Sequence, residues 1–126
     1  MTASMKVLRL YASESGLSCF DATEIQMDMR EFAPPAPALY VSQTMPASQY
    51  VVPRVPAGWT GKLHPSPARQ ILFCLSGMIR VTPGLGDSKT VAAGQAWLME
   101  DTSGPGHETE VISHEPFDAV VVQLPG

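Results

Sequence analysis

The residues best equipped for chemistry are two histidines, His64 and His107, each set beside a bend and an extended run. His64 stands in Gly58-Trp-Thr-Gly-Lys-Leu-His64-Pro-Ser66-Pro-Ala-Arg-Gln70, ahead of the apolar run Ile71-Leu-Phe-Cys-Leu75. His107 closes Gly94-Gln-Ala-Trp-Leu-Met-Glu-Asp-Thr102-Ser-Gly104-Pro-Gly106-His107. Imidazole nitrogens bind first-row divalent metals, and they also exchange protons near neutral pH. A lone histidine beside prolines or at a turn is more often solvated than functional, so each of these gains weight only where the fold joins it to the other. With Gln70 contributing an amide oxygen, His64 and His107 would form a set of two nitrogens and one oxygen for a single divalent ion.

On an extended backbone, residues two apart share a face. His64, Ser66, Ala68, Gln70, Leu72 and Cys74 therefore lie on one side, polar at one end and apolar at the other. That pattern suits the mouth of a pocket, with Ser66 and Cys74 as lining residues. Nothing cationic adjoins Cys74 in sequence, which makes it an inert core thiol. Glu100 and Asp101 could add charge as ligands, as supports for a ligand or as a general base, although a solvated loop pair is the more ordinary expectation. His114, between Ser113 and Glu115, is expected to be exposed and without a role, and Trp59 and Trp97 to be packing residues. No residue is assigned a catalytic role. Phosphate-binding glycine loops, nucleophile elbows and His-Glu-x-x-His are all absent.

The elements that must position these residues read as β-strands. Lys6–Tyr11 is a short β-rich run before the turn residues at 13–16. Between Phe20 and Phe32, apolar Ile25, Met27 and Met29 alternate with polar neighbours, which favours a strand, although Ile25, Met29 and Phe32 also fit one helix face. The prolines at 34, 35 and 37 interrupt any regular element. Leu39–Val41 and Gln49–Val52 follow as short strands. Gln70–Leu75, Met78–Thr82, Lys89–Ala92, Ala96–Met99, Glu108–Ile112 and Phe117–Leu124 complete a series of short strands separated by Gly, Pro and Ser bends. No amphipathic helix competes with them.

At 126 residues the chain is sized for one domain. Residues 1–37 would supply N-terminal strands or an arm, and residues 58–124 the motif-bearing strands. The net charge is −4 and the eight Lys and Arg are scattered, so the cationic cluster that a nucleic-acid or membrane surface requires is missing. Cys19 and Cys74 make no redox or metal spacing. Neither a leader-like apolar stretch nor a membrane-length run is evident, which points to a cytoplasmic protein.

With these residues in view, the chain resembles the cupin family of small β-barrels. The family's first motif is a Gly, five residues, a His, one residue, a second His, an acidic residue three or four further on, and then a Gly after six more. Gly58, His64, Ser66, Gln70 and Gly77 reproduce that frame, with Ser66 at the second His and Gln70 at the acidic position. In the second motif Gly94, Thr102, Gly104 and His107 match, with Thr102 in place of Pro and the first interval two residues longer. The resemblance implies an all-β double-stranded β-helix, or jelly-roll, barrel that forms a homodimer. It also implies a small-molecule ligand or substrate and a single divalent metal, Fe, Mn, Ni or Zn, on His64, His107 and Gln70. Two functions are compatible with it. One is a mononuclear metal-dependent enzyme of the oxygenase, isomerase or lyase classes. The other is a metal-free barrel that binds or senses a small ligand without catalysis.

Overall fold

Alternation of more and less covered positions, as at 70–74, 107–111 and 117–121, is what a half-buried strand requires. The computed structural model describes residues 1–126, all of whose regular elements are strands. They are β1 (Thr2–Ala12), β2 (Ser18–Arg30), β3 (Leu39–Val41), β4 (Gln49–Val51), β5 (Arg54–Val55), β6 (Thr60–His64), β7 (Gln70–Ser76), β8 (Met78–Thr82), β9 (Lys89–Ala92), β10 (Ala96–Glu100), β11 (His107–Val111) and β12 (Phe117–Gln123).

The ambiguous segment is a strand. β2 pairs with β1 from Thr2↔Asp28 through Ala12↔Ser18. Ile25 and Met27 are half-buried on one face, while Met29 and Phe32, which a helix would have joined to Ile25, are exposed. β5 and β6 were not legible as strands. β5 is two residues between Pro53 and Pro56, and β6 carries Gly61, polar Thr60 and Lys62, and a single aliphatic side chain.

The larger sheet runs β3-β2-β1-β10-β7-β12-β4, with β5 also on β12, and the smaller runs β6-β11-β8-β9. Their inner faces share one core of Leu10, Leu72, Cys74 and Trp97 from the larger sheet with Ile79, Val81, Val91 and Val111 from the smaller, closed by Phe117 and Val121. The arrangement is two facing sheets with aliphatic side chains interdigitating between them, an all-β jelly-roll-like fold.

An ion-pair chain stitches the larger sheet where β1 meets β10. Glu100 takes the Arg9 Nε–H at 2.6 Å and the Arg69 Nε–H at 2.5 Å, and Arg9 also reaches Asp21 at 2.7 Å. Glu100 is thus no solvated loop residue. Burial opposes its charge, but the hydrogen bonds from Arg69 and Arg9 outweigh burial and hold its pKa below the ordinary glutamate value. A depressed folded-state pKa gives stability that is fully present above the unfolded pKa and is lost as pH falls through the folded one. Glu100→Gln is therefore expected to lower the unfolding midpoint at neutral pH and to flatten its decline through the acid range. Urea melts from neutral pH downward check this, and parallel acid limbs in wild type and variant would contradict it.

Candidate functional site

The two histidines meet because their strands pair. β6 and β11 are antiparallel neighbours, and His64 and His107 are register partners at one end of the ladder. Their ring centroids lie 4.8 Å apart with planes tilted by 50°.

The approach is set by backbone chemistry at Gly106. Its φ is +83°, and a Cβ there would drive into the His64 carbonyl and the Pro65 nitrogen. Only glycine supplies both the left-handed conformation and the close contact. Ser18 fixes the same turn from β2: its hydroxyl donates to the Gly106 carbonyl at 2.7 Å and accepts the Gly84 N–H at 2.9 Å.

Asp101 is the pivot of the site. It follows the last residue of β10, is fully buried, and uses both carboxylate oxygens. Oδ1 accepts the Ser66 hydroxyl at 2.7 Å, and Oδ2 accepts the His107 Nδ1–H at 2.5 Å. The Ser66 N–H also donates to the Asp101 carbonyl at 3.0 Å. Ser66, Asp101 and His107 form a hydrogen-bonded polar cluster beside the apolar core. The expectation that Asp101 is solvated is therefore corrected, as is the ordinary expectation that His107 is a solvated turn residue. Residues two apart on an extended chain share a face, so Asp101 continues the buried line of Trp97 and Met99. That parity was the signal that could have found it.

These hydrogen bonds settle the tautomers. A carboxylate only accepts, so a neutral His107 ring carries its proton on Nδ1 and has its lone pair on Nε2. His64 does the same, because its Nδ1 lies 2.6 Å from the Lys62 carbonyl. His107 Nε2 is buried and has no hydrogen-bond partner. Trp97 packs edge-on against the His107 ring at 5.3 Å and shields it from solvent, and its own Nε1 also has no partner.

Gln70 stands on β7, across the sandwich from β11, and is buried. Its amide nitrogen donates to Met99 Sδ at 3.4 Å and its oxygen accepts from Gln123 Nε2 at 3.4 Å. Cys74 lies at the far end of the same strand. Its thiol donates to the Ser76 carbonyl at 3.5 Å, and burial pushes its pKa up, so it stays protonated and unreactive. Both cysteines are free. His114 is exposed and Trp59 is partly exposed with its ring lying against Gly61, whereas Trp97 is a core residue.

As a metal centre the donor set is partial. Ligands about 2 Å from one ion at a near-tetrahedral angle would have ring centroids roughly 5 Å apart, close to the spacing of His64 and His107. The carboxylate behind His107 is the support that metal-bound imidazoles commonly have. A third protein donor is not brought to them, and no three His, Cys, Asp or Glu side chains cluster to hold an ion. The described clefts of the molecule are lined by other residues.

No protein-family model matches this chain, and no curated protein matches it. Among solved structures, it is similar to the cupin domain of Schizosaccharomyces pombe Cnp3, with a TM-score of 0.51 and 13% identity over 96% of this chain and 88% of that one. It is also similar to the SPY1581 protein of unknown function from Streptococcus pyogenes, with a TM-score of 0.44 and 26% identity. That second match takes in 61% of this chain and 64% of the streptococcal one, less than two thirds of its length. The fold is that of a cupin domain, as the motif spacing implied. No helix is long and apolar enough to cross a membrane.

Proposed function

We propose that the chain is a small-molecule protein of the cupin type whose working site is the His64–His107 pair. In this reading the two Nε2 atoms take up a single divalent metal, Fe, Mn, Ni or Zn. The observation that carries it is His107, an imidazole buried with its Nδ1–H tied to a carboxylate and its Nε2 lone pair unpartnered. Such an ion, when bound, supplies Lewis-acid or oxygen-activating chemistry. The chain's own residues do the rest. Asp101 holds the His107 tautomer, Ser66 holds Asp101, and Trp97 keeps water from the inner side of the ring. His64, half-buried on an edge strand, leaves the site open toward solvent.

A second reading is favoured by the commitment of Gln70 to Met99 and Gln123, which leaves two neutral nitrogens as the donor set. Here the barrel binds a small ligand without metal, and the two Nε2 atoms accept hydrogen bonds from its N–H or O–H groups.

Metal analysis of protein prepared without a histidine tag separates the two. About one equivalent is expected in wild type, and its loss in His64→Ala, a substitution at a half-buried edge position that leaves the core intact. Metal at background level in wild type would overturn the first reading. Because Gln70 is held by Met99 and Gln123, Gln70→Glu is expected to leave Zn2+ affinity unchanged. Binding tightened about tenfold, or about 1.4 kcal/mol, in a calorimetric titration would mean that position 70 does reach the ion.

A further inference from the structure

The two sheets leave a seam between them, away from the histidines. β1 is hydrogen-bonded to β10 only from Leu8 onward, so at Lys6 and Val7 it has β2 on one side and no strand on the other. β9 is the edge of the smaller sheet and pairs only with β8. A cleft of about 370 Å3 opens between these two edges. Its floor includes Val7, Val91 and Ala96, all buried, and its rim carries the exposed side chains of Lys6 and Lys89.

Neither lysine is in an ion pair. Arg9, Arg54, Arg69 and Arg80 each hold a carboxylate, whereas Lys6 and Lys89 hold none. Glu24 is the register partner of Lys6 on β2, yet its carboxylate is engaged by Gln26 and not by the ammonium. Two uncommitted cations thus flank one apolar floor in a chain of net charge −4. The volume lies in the range of small-molecule sites, and the mixture of hydrocarbon with a few charged groups is the usual lining of one.

We propose that this seam binds small carboxylates with a compact apolar body, such as monocyclic aromatic acids. The carboxylate lies between Lys6 and Lys89, and the hydrocarbon lies against Leu8 and Ala22, which remain open in the cleft above buried Val7, Val91 and Ala96. Hydrocarbon burial supplies most of the affinity and the ammonium pair supplies selectivity for the anion.

Benzoate is the probe, with benzamide as an uncharged isostere, followed by amide NMR shifts in the wild-type protein. Saturable benzoate shifts confined to Val7, Leu8, Ala22, Thr90, Val91 and Ala96 are expected, with benzamide producing little change. Lys6→Gln and Lys89→Gln should each weaken benzoate about threefold, the size of an exposed ion pair, and the double variant should weaken it about tenfold. Both side chains are exposed, so the variants keep the fold, and unchanged shift dispersion confirms it. Immobile seam resonances, equal binding of benzamide, or a double variant that binds as wild type would each overturn the proposal. Inorganic phosphate competing as well as benzoate would also overturn it, because the apolar floor would then contribute nothing. His64→Ala should leave benzoate binding unchanged, which keeps this site separate from the imidazole pair.

Discussion

Replacing His107 with alanine is expected to destabilise the protein by about 3–5 kcal/mol and to abolish metal uptake. Two penalties combine. The first is electrostatic: Asp101 is fully buried and would keep only the Ser66 hydroxyl as side-chain donor, leaving one carboxylate oxygen without a partner. The second is steric, because the ring fills the space between His64 and Trp97 and alanine would leave a cavity there. The double variant His107→Ala/Asp101→Ala removes the stranded charge along with its partner. It should therefore cost clearly less than the sum of the two single substitutions. Urea unfolding of the four proteins measures this coupling. A His107→Ala loss below about 1 kcal/mol, the size of an ordinary substitution, would show that Asp101 does not depend on the imidazole.

Gly106→Ala should act through the backbone and is expected to cost more than about 2 kcal/mol. Left-handed φ alone costs an L-residue about 1–2 kcal/mol. Added to this is the collision of the new methyl with the His64 carbonyl and Pro65, backbone atoms that cannot rotate away. Gly86 provides the control, since its φ is +86° but nothing lies within reach of a Cβ there. The excess of Gly106→Ala over Gly86→Ala measures how tightly the turn is pressed against His64. That excess should be accompanied by weaker Zn2+ binding, because relieving the collision moves His64 away from His107. Equal losses for the two variants would mean that the turn and His64 are not in close contact.

Much of the fold was written in local pattern. The alternation at Ile25 and Met27 marked β2 correctly because one face of that strand is covered and the other is open. The short runs after Arg69 became β7 to β12 with boundaries shifted by a residue or so; His107, expected just ahead of its strand, is its first residue. β6 was harder, since its half-buried positions are Gly61 and His64 while Thr60, Lys62 and Leu63 are exposed, so no apolar alternation marks it, and its identity comes from pairing with β11. Cross-strand registry is a tertiary fact, and no reading of residues 60–64 alone contains it.

The site was legible to the same extent. Motif spacing put His64 and His107 at the family's ligand positions, and the structure makes them register partners of β6 and β11. Ser66 was expected to line a pocket on the face shared with His64 and Gln70, and it is buried. Its hydroxyl, however, is spent on Asp101, so the residue that stands at a family ligand position instead braces the carboxylate behind His107. Asp101, named with Glu100 as one possible ligand, support or general base, was expected to be solvated because the polar Thr-Ser-Gly-Pro-Gly run after it reads as a loop. Its burial depends on three partners that arrive from elsewhere in the chain: the Ser66 hydroxyl, the Ser66 amide and the His107 ring.

The most direct measurement is long-range proton–nitrogen correlation NMR of the histidine rings, first in metal-free protein and then with Zn2+ added. Wherever the rings are neutral, both His64 and His107 should appear as the Nδ1–H tautomer. One equivalent of Zn2+ should then shift the Nε2 resonances of both rings together and leave His114 unmoved. An Nε2–H tautomer at either ring, or Zn2+ that shifts only one of them or neither, would contradict a site shared by the two Nε2 atoms.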